Sequence, residues 1–274
     1  MTTPRAGAPP TDALPVVFQP IFEIGLAGHR IHGVEGLVRG ALQARLDSAA
    51  ALLAPARVDG EEAAIDRACV AAVMREARAL PADMPLTVNV RAATLAADVE
   101  FVAFLTDRAL EASIARERLV VDVVEHVPFS AVPELRRGLE ALRAMGARIG
   151  LDDVGLGTSN YRMMLECRPA YFKVDAYFVL GAARDPHRLL VLESIAGLAR
   201  KFGGRAVAEG VESAADLAAV VGAGFDLVQG FFLAPPLGIE ELTVRHPLSG
   251  HPAGERSSDA RPSSRTAAPT QVRQ

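Results

Sequence analysis

RIGLDDVGLGTSN, Arg148 to Asn160, runs an apolar, strand-like segment straight into two adjacent aspartates and then into a loop with two glycines. Adjacent carboxylates repel each other, and a strand end is partly buried. The pair therefore needs either positive charge beside it or full solvation in a turn. A lone Asp-Asp pair is most often a turn or a helix cap, so the rest of the chain has to decide.

Working outward, the apolar part ARIGL (147–151) is one of eight short, β-branched runs. The others are VVFQPIFEI (16–24), IHGVEGLV (31–38), LTVNV (86–90), LVVDVV (119–124), YFKVDAYFV (171–179), AVAEGV (206–211) and LVQGFFL (227–233). Most are followed by a helical pattern: EEAAIDRACVAAVMREARAL, AVPELRRGLEALRAMG, PHRLLVLESIAGLARKFG and SAADLAAVVGAG. Alternating strands and helices imply a parallel sheet with helices outside it. The first two runs are joined only by Gly25–Arg30. That link is too short for a crossover helix, so they pair as an antiparallel hairpin. The expected fold is α/β, a TIM-like (β/α)8 barrel with an antiparallel first strand, over residues 15–245. Residues 1–14 read as a disordered lead-in. Residues 246–274, rich in Pro, Ser, Arg and Ala, read as a disordered tail.

Seven of the eight runs contain or end on a polar residue: Glu35, Asn89, Asp122, Asp152, Lys173, Glu209 and Gln229. A buried charge or amide is costly unless it is paired or bound to metal. A barrel brings its strand ends together on one face. The pattern predicts a carboxylate-rich bowl with one lysine. Carboxylates and an amide oxygen suit hard divalent ions, Mg²⁺ or Mn²⁺. The adjacent Asp152 and Asp153 suggest two ions, a common arrangement for phosphodiester hydrolysis. Lys173 is then placed to orient water or to stabilise negative charge. No HExxH occurs and the six histidines do not cluster, so no zinc site is expected.

The remaining totals narrow the class. Net charge is −4, which gives no basic field for a nucleic acid polymer or an anionic membrane. No apolar run reaches the length of a membrane span, and the N-terminus lacks the apolar core of a signal peptide. The two cysteines, Cys69 and Cys167, read as reduced thiols of a cytoplasmic protein. Asp175 is a candidate partner for Lys173, and Glu212 reads as a residue just inside a helix N-terminus. Phe231 and Phe232 read as core. His126 and the other histidines read as surface or satisfied core.

These blocks resemble the EAL-domain phosphodiesterases, which linearise the bacterial second messenger cyclic di-GMP. QPIFEI, VEGLVRG, LTVNV, LVVDVVEH, DDVGLG, FKVD, AVAEGVES and LVQGFFLAPPL follow the family's blocks in order. The resemblance implies that Glu35, Asn89, Asp122 and Asp152 hold one metal, and that Asp152, Asp153 and Glu209 hold the second. It implies that Lys173 contacts the catalytic water, that Arg39 and Gln19 face phosphate and guanine, and that Gln229 supports the site. Glu125 matches the glutamate that anchors the loop after Asp153, a loop that in the family also contributes to dimer contacts. A homodimer is compatible with it, and a regulatory partner protein is expected but not named.

The chain departs from the family pattern at several points. Asp122 stands where the family has Glu, one methylene or about 1.5 Å shorter. Gly36 replaces Ala, Gly40 replaces Trp, Arg91 replaces Ser and Val124 replaces Thr. The loop DDVGLGTSN lacks the family's Phe, Thr and Tyr. Two alternatives to an active phosphodiesterase follow: a receptor that binds cyclic di-GMP without cleaving it, and a scaffold that works through protein contacts.

Overall fold

A computed structural model describes residues 14–25, 28–39, 62–124, 131–156 and 160–246. The strands are β1 (Val16–Gly25), β2 (Gly28–Val38), β3 (Leu86–Arg91), β4 (Leu119–Val124), β5 (Arg148–Val154), β6 (Tyr171–Val174), β7 (Arg205–Ala208) and β8 (Leu227–Val228). They close into a barrel in chain order. β1 pairs antiparallel with both β2 and β8, and every other pair is parallel. The expected hairpin is present. Around the barrel lie α1 (Glu62–Glu76), α2 (Ala92–Ala97), α3 (Phe101–Glu111), α4 (Val132–Met145), α5 (Asn160–Cys167), α6 (Ala176–Val179), α7 (Pro186–Lys201), α8 (Ala214–Gly222) and α9 (Ile239–Arg245).

Local chemistry starts these helices where the sequence offers it. Asp185 accepts from the backbone N–H of His187 and Arg188 and is followed by Pro186, which caps α7. Ser213 accepts from Asp216 N–H and caps α8. Glu212 therefore lies outside that helix, exposed, rather than just inside it.

Period-2 alternation divides the strand side chains between two cores. One face points outward to the helices: Leu86, Val88 and Val90 of β3, Leu119, Val121 and Val123 of β4, Phe172 and Val174 of β6. The other face fills the barrel. Its lower layer is a small apolar plug of Ile21, Val120, Tyr171, Val207 and Leu227. One inward position further along these strands stand Gln19, Asp122, Lys173, Glu209 and Gln229. The polar set thus sits directly on a largely apolar floor.

Two expectations change here. LVQGFFL forms a strand only at Leu227–Val228, after which the chain turns. Gly230 runs against the backbone of Val211, where a Cβ would meet Val211 O at 2.2 Å. The turn carries Phe231 and Phe232 outward, 65% and 45% exposed, so neither belongs to the core. Gly36 has a packing cause too. A Cβ there would meet Val73 Cγ1 at 2.2 Å, and β-branched Val73 on α1 has little freedom to yield.

Both cysteines are free, Cys167 buried and Cys69 partly so. Burial pushes both thiols up to about 12. At pH 8 only about one in 10,000 is then thiolate, the reactive form. A chromogenic disulfide reagent should leave both unmodified for minutes in the native protein and modify both in denaturant. Rapid reaction of both in the native protein would contradict this burial.

Candidate active site

Lys173 lies at the centre of the polar layer, 2% exposed. Its Nζ stands 2.8 Å from Glu209 Oε1, 3.1 Å from Glu35 Oε2, 3.1 Å from Asp122 Oδ2 and 3.6 Å from Asp152 Oδ1. One ammonium therefore faces four carboxylates from β2, β4, β5 and the end of β7. Burial pulls its pKa down, but Asp152, Glu209, Glu35 and Asp122 together hold it well above the usual lysine range. Asp175 is not among its partners. Asp175 instead caps α6, accepting from Tyr177 N–H at 2.7 Å. The inward alternation that suggested the pairing ends with β6 at Val174.

Glu35 is locked on both oxygens. Asn89 Nδ2 donates to Oε1 at 2.7 Å, and Gln229 Nε2 and Lys173 Nζ donate to Oε2 at 2.8 and 3.1 Å. Burial pushes its carboxyl up, but Lys173 and these donors bring it below the usual range. Gln229 Nε2 also reaches Gln19 Oε1 at 3.1 Å, and Gln19 Nε2 donates to Ala234 O at 3.4 Å. Asp122 differs. It is 0% exposed, and neither oxygen accepts a well-directed hydrogen bond despite the nearby ammonium. Burial pushes it up to about 7, with Asp152 and Glu35 adding to the effect and Lys173 opposing it. Burial likewise pushes Glu209 well above the usual range, against the pull of Lys173.

The two adjacent aspartates sit in a β-bulge. Leu151 pairs with Phe172 and Val154 with Val174, so β5 spends three steps where β6 spends two. Asp153 takes φ +53, which Asp tolerates better than most residues. Asp152 Oδ1 accepts from Asp153 N–H at 3.0 Å. The extra residue lets Asp153 stay exposed while Val154 takes the next core-facing position, 0% exposed. Without the bulge, alternation would turn Asp153 toward the helices.

Two sequence candidates, Arg39 and Glu212, are not among the partners of Lys173. Arg39 follows the C-terminal end of β2, half-buried. Glu212 is exposed beyond β7. Glu125 and His126 lie outside the described residues.

One buried contact beside the site was missed from the sequence. Arg91, 1% exposed, ends β3 two residues beyond Asn89 and pairs with Asp66 of α1, its Nη2 3.0 Å from Asp66 Oδ1. Asp66 also accepts from Arg91 N–H at 3.1 Å and from Thr94 Oγ1. Arg91 Nη2 donates further to Glu62 O. This network ties the end of the Asn89 strand to the helix layer. Its members lie 25 and 28 residues apart, so no local spacing rule announces it.

The donor set fits a hard cation. Its ligands would be oxygens. Asn89 Oδ1, both Asp122 oxygens and Gln229 Oε1 are buried without hydrogen-bond partners. Four carboxylates face a single ammonium, which leaves an excess of negative charge. Among the described residues no three His, Cys, Asp or Glu side chains are already gathered at metal-ligating spacing. They gather around Lys173 instead.

The EAL domain family model matches residues 8–236. Over 120 residues the chain is 32% identical to the cyclic di-GMP phosphodiesterase PdeL of Escherichia coli, which is 44% of this chain and 33% of PdeL. Its fold is similar to that of Klebsiella pneumoniae BlrP1 in a calcium and cyclic di-GMP complex. The TM-score is 0.74 at 25% identity, over 86% of this chain and 58% of that one. The manganese and cyclic di-GMP complex of BlrP1 gives a TM-score of 0.73 at 25% identity, over 82% and 56%. The chain thus spans a third of PdeL and little more than half of BlrP1.

Proposed function

The chain belongs to the EAL-domain family, and on that premise we propose that it is a divalent-cation-dependent phosphodiesterase opening cyclic di-GMP to the linear dinucleotide pGpG. The observation that carries this reading is the polar layer. It combines orphaned oxygens of Asn89 and Asp122 with four carboxylates around one lysine.

In this reading Glu35, Asn89, Asp122 and Asp152 hold one ion. Asp152, Asp153 and Glu209 hold a second. Mg²⁺ or Mn²⁺ matches the oxygen donors, and the manganese complex of BlrP1 supports the choice. A divalent cation supplies Lewis acidity toward a phosphate oxygen and neutralises the surplus carboxylate charge. Lys173 holds the attacking water through an Nζ–H. Glu209, 2.8 Å from that ammonium, would take the water's proton. The water oxygen bonds to phosphorus, the bond from phosphorus to the 3′ oxygen breaks, and a proton passes to that oxygen. Arg39 at the rim faces phosphate as a charged donor. Gln19, braced by Gln229, faces guanine. The proposal includes a cytoplasmic location, and no helix among the described residues is long and apolar enough to cross a membrane.

Calorimetric titration with Mn²⁺ and Mg²⁺, with and without cyclic di-GMP, tests the reading. Binding of at least one of the two ions is expected, and no uptake of either under any of these conditions would end it. One observation favours a second reading, a receptor that binds without cleaving: Asp122 is one methylene shorter than the family's Glu, and its Oδ2 lies against Lys173 Nζ at 3.1 Å.

A further inference from the structure

Asp122 and Lys173 belong to strands that do not touch. β4 and β6 are separated by β5, and strands two apart lie roughly 9.5 Å from each other. Their charged groups nevertheless meet at 3.1 Å. The pair closes over β5, and the residue beneath it is Gly150, the register neighbour of both Asp122 on β4 and Tyr171 on β6. Gly150 has the inward parity of Asp152, two residues on. A Cβ on Gly150 would lie 1.7 Å from Asp122 Oδ1 and 2.8 Å from Asp122 Cγ. The carboxylate occupies the space that any other residue at position 150 would fill.

We propose that Gly150 is a positioning residue for Asp122: its missing side chain is the berth in which the shortened carboxylate lies, which fixes it beside Lys173 in the inner layer. The glycine is not there for its backbone. Its φ falls outside the left-handed region, so alanine fits the local conformation. What alanine cannot do is coexist with Asp122 in its present rotamer. Non-bonded heavy atoms approach to about 3 Å at the closest, so the carboxylate must swing away from β5 and leave the ammonium. The inference rests on the phosphodiesterase reading only where cation binding is concerned.

The test is a double-mutant cycle on wild type, Gly150→Ala, Asp122→Ala and the double variant, read in two ways. With chelator present, Gly150→Ala is expected to lower the melting temperature by about 5 °C in the wild-type background. It should lower it by less than about 1 °C once Asp122 is Ala, because the collision partner is gone. With Mn²⁺ present, Gly150→Ala should weaken affinity at least about tenfold, and no further on top of Asp122→Ala. Equal effects of Gly150→Ala in both backgrounds, or none in either readout, would overturn the inference. If wild type takes up no Mn²⁺ or Mg²⁺, the phosphodiesterase reading fails, and the cycle in chelator still decides the role of Gly150.

Discussion

Replacing Lys173 with Ala is expected to lower kcat for cyclic di-GMP cleavage about 1,000-fold while changing cyclic di-GMP affinity less than about threefold. The magnitude is that of a positioned proton-handling group. The split follows from geometry. Lys173 is 2% exposed at the floor of the bowl, ringed by Glu35, Asp122, Asp152 and Glu209. A bound dinucleotide meets the rim residues first. An interaction made mainly in the transition state lowers kcat and kcat/KM together and leaves binding alone. Steady-state kinetics beside equilibrium binding of the nucleotide checks this, with circular dichroism confirming the fold. Cleavage by Lys173→Ala at the wild-type rate would remove the role assigned to the lysine. If the chain is a receptor, wild type and variant should bind alike and neither should cleave. If it is a scaffold, neither should bind at any cation concentration.

Arg91→Ala should destabilise the fold by about 3–5 kcal/mol, the usual result of breaking a fully buried ion pair from one side. Arg91 and Asp66 are 1% and 4% exposed. Without the guanidinium, Asp66 keeps, among the described residues, Thr94 and the backbone N–H of residue 91 as donors. Burial already pushes the Asp66 carboxyl up with the arginine in place. In a domain of this size the loss corresponds to roughly 10 °C in melting temperature. Replacing both partners with apolar residues, Arg91→Met with Asp66→Leu, should recover much of it, because no orphaned charge remains. A single variant that loses under about 1 kcal/mol in urea unfolding would show that water reaches Asp66. The position matters for the site because Arg91 closes the strand that presents Asn89.

Much of the barrel was legible because charges are costly to bury. Glu35, Asn89, Asp122, Asp152, Lys173, Glu209 and Gln229 interrupt or end apolar runs, and only convergence on one face offsets that cost. The antiparallel start followed from the length of one link. What stayed hidden depends on neighbours distant in the chain. Nothing local in LVQGFFL says that Gly230 meets the backbone of Val211, so the run read as one strand and Phe231 and Phe232 as core. Lys173 and Asp175 share a parity that holds only while β6 lasts, and β6 stops between them. The bulge at Asp153 looks like continuing strand until β6 is laid beside it. Gly36 and Gly150 acquire meaning only from Val73 and Asp122. The pairing of Arg91 with Asp66 replaces a family Ser by a contact that no short-range pattern encodes.

The central claim is that the oxygens gathered around Lys173 make this chain an enzyme. The most direct measurement incubates the purified protein with cyclic di-GMP and Mn²⁺ and resolves the products by chromatography, with Asn89→Ala alongside. The account predicts conversion to the linear dinucleotide pGpG by wild type, none without divalent cation, and none by Asn89→Ala although that variant stays folded. Intact cyclic di-GMP after prolonged incubation with wild type and Mn²⁺, or equal conversion by Asn89→Ala, would contradict it.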